Sequence, residues 1–119
     1  ETVHGVSSGY DTFDCVSPTR IARHGIMMSK LTNKGINLNN SKFKDDHSSI
    51  DEECEINEIN KFSKSYIHHL FKANEILGMT ILSIYNIWFM NKFFEEVRSS
   101  ISEDRFEEYK SQILSNLVK

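Results

Sequence analysis

The run from Glu75 to Ile101 constrains this chain more than any other part of it. As a helix it is apolar almost all round as far as Met90, then narrows to Phe93, Phe94, Val97 and Ile101. A helix of that kind must be covered on several sides. Between Ile76 and Met90 it is interrupted by Thr80, Ser83 and Asn86, which makes it too short and too polar to span a bilayer. No membrane partner is therefore expected, and the cover has to come from protein. With 119 residues and 39% hydrophobic content, the chain is long enough for one modest core of its own.

The segments that would supply that cover read as follows. Thr2 to Ser8 is the end of a helix with Gly9 as its stop. Tyr10 to Val16 alternates loosely and carries β-branched and aromatic residues, so it reads as a strand that Pro18 ends. From Ile26, the run to Leu31, the turn Thr32-Asn33-Lys34-Gly35 and then Ile36 to Leu38 predict a hairpin. Asn39 to Asp51 is an irregular surface connection in which only Phe43 and Ile50 should pack. Ile56, Ile59, Phe62, Tyr66, Leu70 and Ala73 recur at helical spacing and predict one helix, with Asn74 as its stop. Ser100-x-x-Glu103 offers a capping box for a last helix striped by Phe106, Tyr109, Ile113 and Leu117.

The chemistry-bearing residues crowd into Gly9 to Gly25. Asp14 stands where the expected strand gives way to a loop, a position that can be held rigidly and still meet a ligand. An isolated aspartate there most often caps or hydrogen-bonds its loop. Arg20 and Arg23 follow, and planar guanidinium groups bind phosphates or stack beside an extruded base. Two arginines three apart are otherwise ordinary solvated charge. Thr19 adds a hydroxyl for base or phosphate.

The spelling Phe13-Asp14-Cys15-Val16-x-Pro18-Thr19-Arg20-x-Ala22-Arg23-x-Gly25 resembles the nucleophile region of the tRNA-guanine transglycosylases, the queuine tRNA-ribosyltransferases. The likeness continues more thinly to about residue 105, in Asp51-x-Glu53-Cys54 and in Ser63-x-x-Tyr66-x-x-His69-Leu70-x-x-Ala73-x-Glu75-Ile76-Leu77-Gly78. It implies an α/β chain forming the C-terminal part of a (β/α)8 barrel, a fold that usually needs about 250 residues. Residues 1–40 would hold the last strand, the recognition loop and the hairpin, and 41–119 a linker and a helical subdomain of three helices or so. Glu1 opens without an initiator Met, in keeping with a fragment.

For function, the resemblance implies exchange of guanine at the wobble position of a tRNA anticodon loop for a queuine-type 7-deazaguanine base. Asp14 matches the attacking nucleophile, and Thr19, Arg20, Ile21, Ala22 and Arg23 match the RNA-recognition segment, with Ile21 and His24 departing from the family's usual Asn or Gly types. The base pocket and the second acid of the reaction would lie in the part not present here, so the fragment alone should be inactive. Phe62, Tyr66 and His69 match positions of a homodimer contact. The family's structural zinc positions read Cys54, Ile56, Ile59 and Tyr85, and one soft ligand does not make a closed site that wants four N or S donors. No cofactor is therefore expected, packing by Ile56 and Ile59 replacing the metal, with His47, His68 and His69 as remote candidates to join Cys54.

Net charge is −3 at pH 7, so any RNA contact must be local rather than a general basic surface. Two cysteines, neither in a Cys-x-x-Cys pair, give no disulfide framework and point to a reducing, cytoplasmic setting. A rival expectation belongs to a different class: a non-catalytic, zinc-less module derived from the same family and serving for dimerisation or RNA holding.

Overall fold

In the computed structural model, which describes residues 1–117, the chain forms six helices and a two-stranded antiparallel ribbon. Their order is α1 (Thr2–Ser7), α2 (Ser17–Ala22), β1 (Ile26–Met27), β2 (Ile36–Asn37), a 3-10 turn at Ser41–Phe43, α3 (Asn57–Asn60), α4 (Lys64–Lys72), α5 (Ile76–Ser102) and α6 (Phe106–Asn116). The apolar run becomes α5, 27 residues long. At 1.5 Å per residue that is about 40 Å of helix, and α2, β1, α4 and α6 all pack on it.

One core cluster draws on the whole length of the chain: Ala22 from α2, Met27 from β1, Leu38, Phe43, Ile50, Cys54 and Ile59 from the middle, Ile67 and Leu70 from α4, and Ile81, Leu82 and Tyr85 from α5. Cover of α5 is nevertheless one-sided. Leu77, Ile84 and Ile87, spaced along a single stripe, stay 44%, 42% and 46% exposed. The close approach of α4 to α5 depends on Gly78, where a Cβ would stand 3.2 Å from that of Leu70 and 3.1 Å from the Phe71 ring.

The hairpin forms with Ile26 opposite Asn37 and Met27 opposite Ile36. Its turn ends on Gly35 at φ +73, where an added Cβ would lie 2.7 Å from the Met27 carbonyl, so only glycine fits. Asn74 ends α4 at φ +57, and the Glu75 N–H reaches back to the Leu70 carbonyl at 2.9 Å, the left-handed stop that its sequence position predicts. The connection from Asn39 is irregular apart from its 3-10 turn, and both Phe43 and Ile50 are buried.

Four expectations are corrected. Residues 10–16 are not a strand but irregular coil, because a strand needs a neighbour for its N–H and C=O groups and among the described residues none lies alongside. The loop expected after Pro18 is the helix α2, with Pro18 at its start, where a missing N–H costs nothing. The single helix from Ile56 to Ala73 is broken into α3 and α4, giving four helices after residue 41. Ser63 caps α4 by accepting from the Tyr66 N–H and bridges in antiparallel fashion to Ser49, and the Ile50 N–H bonds to the Phe62 carbonyl. That chain crossing interrupts the helix and turns Tyr66 and Ala73 out of the core, Ile67 and His68 taking their place. Finally, Ser100 caps nothing. It is fully buried within α5, its hydroxyl donates to the Val97 carbonyl at 2.7 Å, and α6 starts at Phe106 after the left-handed Asp104. Tyr109 is buried and Phe106, Ile113 and Leu117 half-buried, as the stripe predicts.

Candidate active site

Asp14 is exposed and makes no hydrogen bond or ion pair among the described residues. The backbone on either side of it is held. The Tyr10 N–H bonds to the Gly5 carbonyl at 3.0 Å, and the Phe13 ring lies against Phe94 of α5 at 5.4 Å between centroids. On the other side the Cys15 sulfur accepts from the Ser17 N–H, and α2 begins. The result is an open carboxylate one residue from an aromatic anchor and three from a helix start.

In α2, buried Pro18 and Ala22 fix the inner side and Arg20 points to solvent. Arg23 closes the helix at φ −63 and ψ −22, still helical, so both guanidinium groups rise from one side, their Cβ atoms about 5–6 Å apart. The ion pairs of the described residues are Lys30–Glu96, Lys92–Glu55 and Arg105–Glu103, so neither arginine is neutralised by a carboxylate. Thr19 donates its hydroxyl to the Val16 carbonyl at 3.2 Å, bracing the turn after Asp14. Ile21 is half-buried, and the Ala22 side chain is wholly inside, so it serves the helix rather than a ligand.

A six-residue helix does not hold itself together in water. Buried Pro18 and Ala22 pack it on the core, and its place there is fixed by Asn86, a residue that in the sequence is only a polar gap in the apolar run. It is fully buried in α5. Its Oδ1 accepts from the Met28 N–H at 2.8 Å, and its Nδ2 donates to the Ile26 and Pro18 carbonyls, each at 3.0 Å. The carboxamide thus occupies the edge of β1 that β2 leaves open and ties α2 to it. An amide within the largely apolar part of a helix was the signal, since such a group is kept in a core only when its hydrogen bonds are made.

Cys54, Ile56, Ile59 and Tyr85, the positions at which the resemblance implies a zinc site, pack rather than ligate. Cys54, Ile59 and Tyr85 belong to the core cluster and Ile56 packs against it. Two of the four offer only carbon, and Tyr85 already donates its hydroxyl to Asp51 Oδ2 at 2.8 Å. Burial, with weaker help from Asp51 and Glu55, pushes the Cys54 thiol up, away from the thiolate a metal would need. His47 contacts Ser65, and His68 Nδ1 donates to the Leu38 carbonyl at 2.7 Å. Among the described residues no group of three or more His, Cys, Asp or Glu converges. These residues do not fit a four-coordinate zinc.

Phe62 packs against the core, whereas Tyr66 and His69 are exposed. The Phe62 and Tyr66 rings stack at 5.4 Å and 15°, giving a flat aromatic surface at the start of α4. No helix among the described residues is long and apolar enough to cross a membrane.

Comparison with known proteins supplies the context. The family model for queuine tRNA-ribosyltransferase matches residues 1–119. A queuine tRNA-ribosyltransferase of Dictyoglomus turgidum is 40% identical over 119 residues, covering 100% of this chain and 30% of the relative. One from Chromobacterium violaceum is 40% identical over 119 residues, covering 100% of the chain and 32% of its own length. One from Clostridium tetani is 43% identical over 114 residues, covering 96% and 30%. The chain spans about a third of the length of these curated relatives.

Proposed function

Given that the chain belongs to the queuine tRNA-ribosyltransferase family, we propose that it forms the nucleophile-bearing part of a tRNA-guanine transglycosylase, completing a barrel with residues 1–40 and a helical subdomain with 41–119. The observation that carries this reading is the open, unpartnered Asp14 carboxylate, braced by Phe13 on Phe94 and followed by two unpaired guanidinium groups on α2.

In the reaction, an Asp14 oxygen attacks C1′ of the extruded wobble nucleotide. The C–O ester bond forms as the C1′–N9 bond breaks, and the electron pair leaves with guanine, which takes a proton from the reaction's second acid. The incoming 7-deazaguanine gives up its own ring N–H proton to the conjugate base of that second acid, restoring it, and attacks C1′ from the face that guanine left. The ester breaks and the Asp14 carboxylate is restored. Two inversions give net retention, the logic of the retaining glycosidases, and splitting the exchange in two is what a carboxylate nucleophile offers. Arg20 and Arg23 would grip phosphates on either side of the extruded base, Thr19 would keep the turn between Asp14 and α2, and the core-facing Ala22 and half-buried Ile21 would seat the helix. The aromatic surface of Phe62 and Tyr66 with His69 suits a homodimer contact, and the setting is the cytoplasm, where tRNA is modified.

Asp14→Asn in full-length protein tests this. Loss of labelled-guanine exchange with tRNA binding retained is expected; an unchanged exchange rate refutes it. A second reading, the non-catalytic module, is favoured by one observation, the carbon side chains at positions 56 and 59, and that same unchanged rate would support it.

A further inference from the structure

We infer that Asn86 is the positioning residue of the RNA-binding element: it sets where the α2 arginines lie relative to Asp14 without touching RNA itself. The inference rests on the reading of α2 as the RNA-holding helix and adds to it the device that fixes the helix in place.

The geometry is that of a side chain acting as a strand. In an antiparallel pair, alternate residues turn their N–H and C=O groups away from the partner. The Gly25 carbonyl accepts from the Leu38 N–H, so the next outward-facing groups on β1 are the Ile26 carbonyl and the Met28 N–H. Asn86 meets both, accepting from one at 2.8 Å and donating to the other at 3.0 Å. Its remaining N–H goes to the Pro18 carbonyl at 3.0 Å. Only the amide in this orientation satisfies the three groups, since a flipped one would set its oxygen against two carbonyls.

One rigid plane therefore joins α5, the outer edge of β1 and the first turn of α2. Pro18 stands two residues before Arg20 and four after Asp14, so the clamp sits between the nucleophile and the guanidinium groups. Phe13 on Phe94 provides a second attachment to the same helix. With both in place α5 is a ruler: Asp14 and the arginines are spaced by where residues 86 and 94 fall along it. Release of the Asn86 contact leaves α2 held by the apolar contacts of Pro18 and Ala22, which resist separation but not sliding.

The test uses full-length protein carrying Asn86→Asp, whose second carboxylate oxygen would face the Ile26 and Pro18 carbonyls, and the milder Asn86→Ser. A displacement of the RNA grip lowers kcat/KM for tRNA by about a hundredfold, with the change in KM for tRNA and with KM for the base and kcat at saturating tRNA largely kept. A merely structural role would instead lower the active fraction, reducing kcat and leaving both KM values alone, and that result overturns the inference. The double variant Arg20→Ala/Arg23→Ala separates the premises. If it leaves KM for tRNA unchanged, α2 is not the RNA element and this inference falls with that reading; if it raises KM while both folded Asn86 variants do not, only the positioning role falls. Should neither Asn86 variant fold, amide exchange in the wild-type protein decides: tRNA binding is expected to slow Met28 together with the α2 amides, and a Met28 amide that ignores tRNA while α2 slows overturns the clamp.

Discussion

Replacing Tyr85 by phenylalanine tests how the middle of the chain is tied to α5. The ring is 1% exposed and touches Trp88 and Phe89, contacts that phenylalanine keeps, so the change isolates the hydroxyl. That hydroxyl donates to Asp51 at 2.8 Å, and Asp51 in turn accepts from the Glu53 N–H at 2.9 Å, ordering the turn that presents Cys54. A hydrogen bond to a charged acceptor is worth about 1.5–3 kcal/mol. Asp51 is half-buried and water replaces part of the loss, so Tyr85→Phe should cost about 1–2 kcal/mol. For a domain of this size that is a fall in Tm of about 4–8 °C. Urea unfolding followed by circular dichroism reads it as a lower midpoint at unchanged slope. A pH signature accompanies it. Burial, reinforced by the Asp51 bond, raises the Tyr85 phenol above its ordinary 10.0, so the folded state holds the proton more tightly than the unfolded one. The stability this gives is complete below that ordinary value and is lost as pH rises above it. The variant should lose part of that alkaline slope, Tyr109, raised chiefly by burial and then by its bond to Glu96, keeping the rest. Equal stability and an equal alkaline slope in the variant would refute the reasoning.

Other outcomes follow from the same geometry. Zinc added to Tyr85→His should leave Tm unchanged, because Ile56 and Ile59 still offer no donor; a metal-dependent rise measured by scanning calorimetry would contradict this. Under native conditions iodoacetamide should modify the exposed Cys15 and spare the buried Cys54 until the chain is unfolded, as read by peptide mass. Burial pushes the Glu96 carboxyl up, but hydrogen bonds from Lys30 at 2.6 Å and Tyr109 at 2.8 Å outweigh it and hold it below the ordinary carboxylate value. Its contribution is thus present above that value and lost as pH falls through the lowered one, and Glu96→Gln should flatten the acid limb of the stability curve. Leu82→Ala, at a fully buried position on α5, should cost about 2–5 kcal/mol.

The parts of the molecule written in local pattern were legible in the sequence. Continuous apolar spacing announced α5, Gly35 the hairpin, and Asn74 the end of α4. What escaped was set by contacts between distant segments. Residues 10–16 have strand composition, but composition cannot supply the neighbour a ladder needs. The apolar spacing ran through Ile56 to Ala73 while the Ser49–Ser63 bridge cut it in two, a partner fourteen residues away that periodicity cannot see. Ser100 had the spelling of a cap and the surroundings of a core. At the site, Asp14 and the two arginines stood out by type, whereas Asn86 looked like a flaw in an apolar helix. Its meaning lies in groups of Pro18, Ile26 and Met28, which the sequence gives no reason to place together.

The central claim, that Asp14 forms a bond to the ribose of the wobble nucleotide, is tested most directly by a mass spectrum of full-length protein trapped with tRNA. Quenching in the absence of an incoming base should leave the peptide containing Asp14 heavier by the attached nucleotide fragment, and Asp14→Asn should abolish the adduct. Exchange that proceeds while this peptide keeps its unmodified mass, or an adduct found on another residue, would contradict the account.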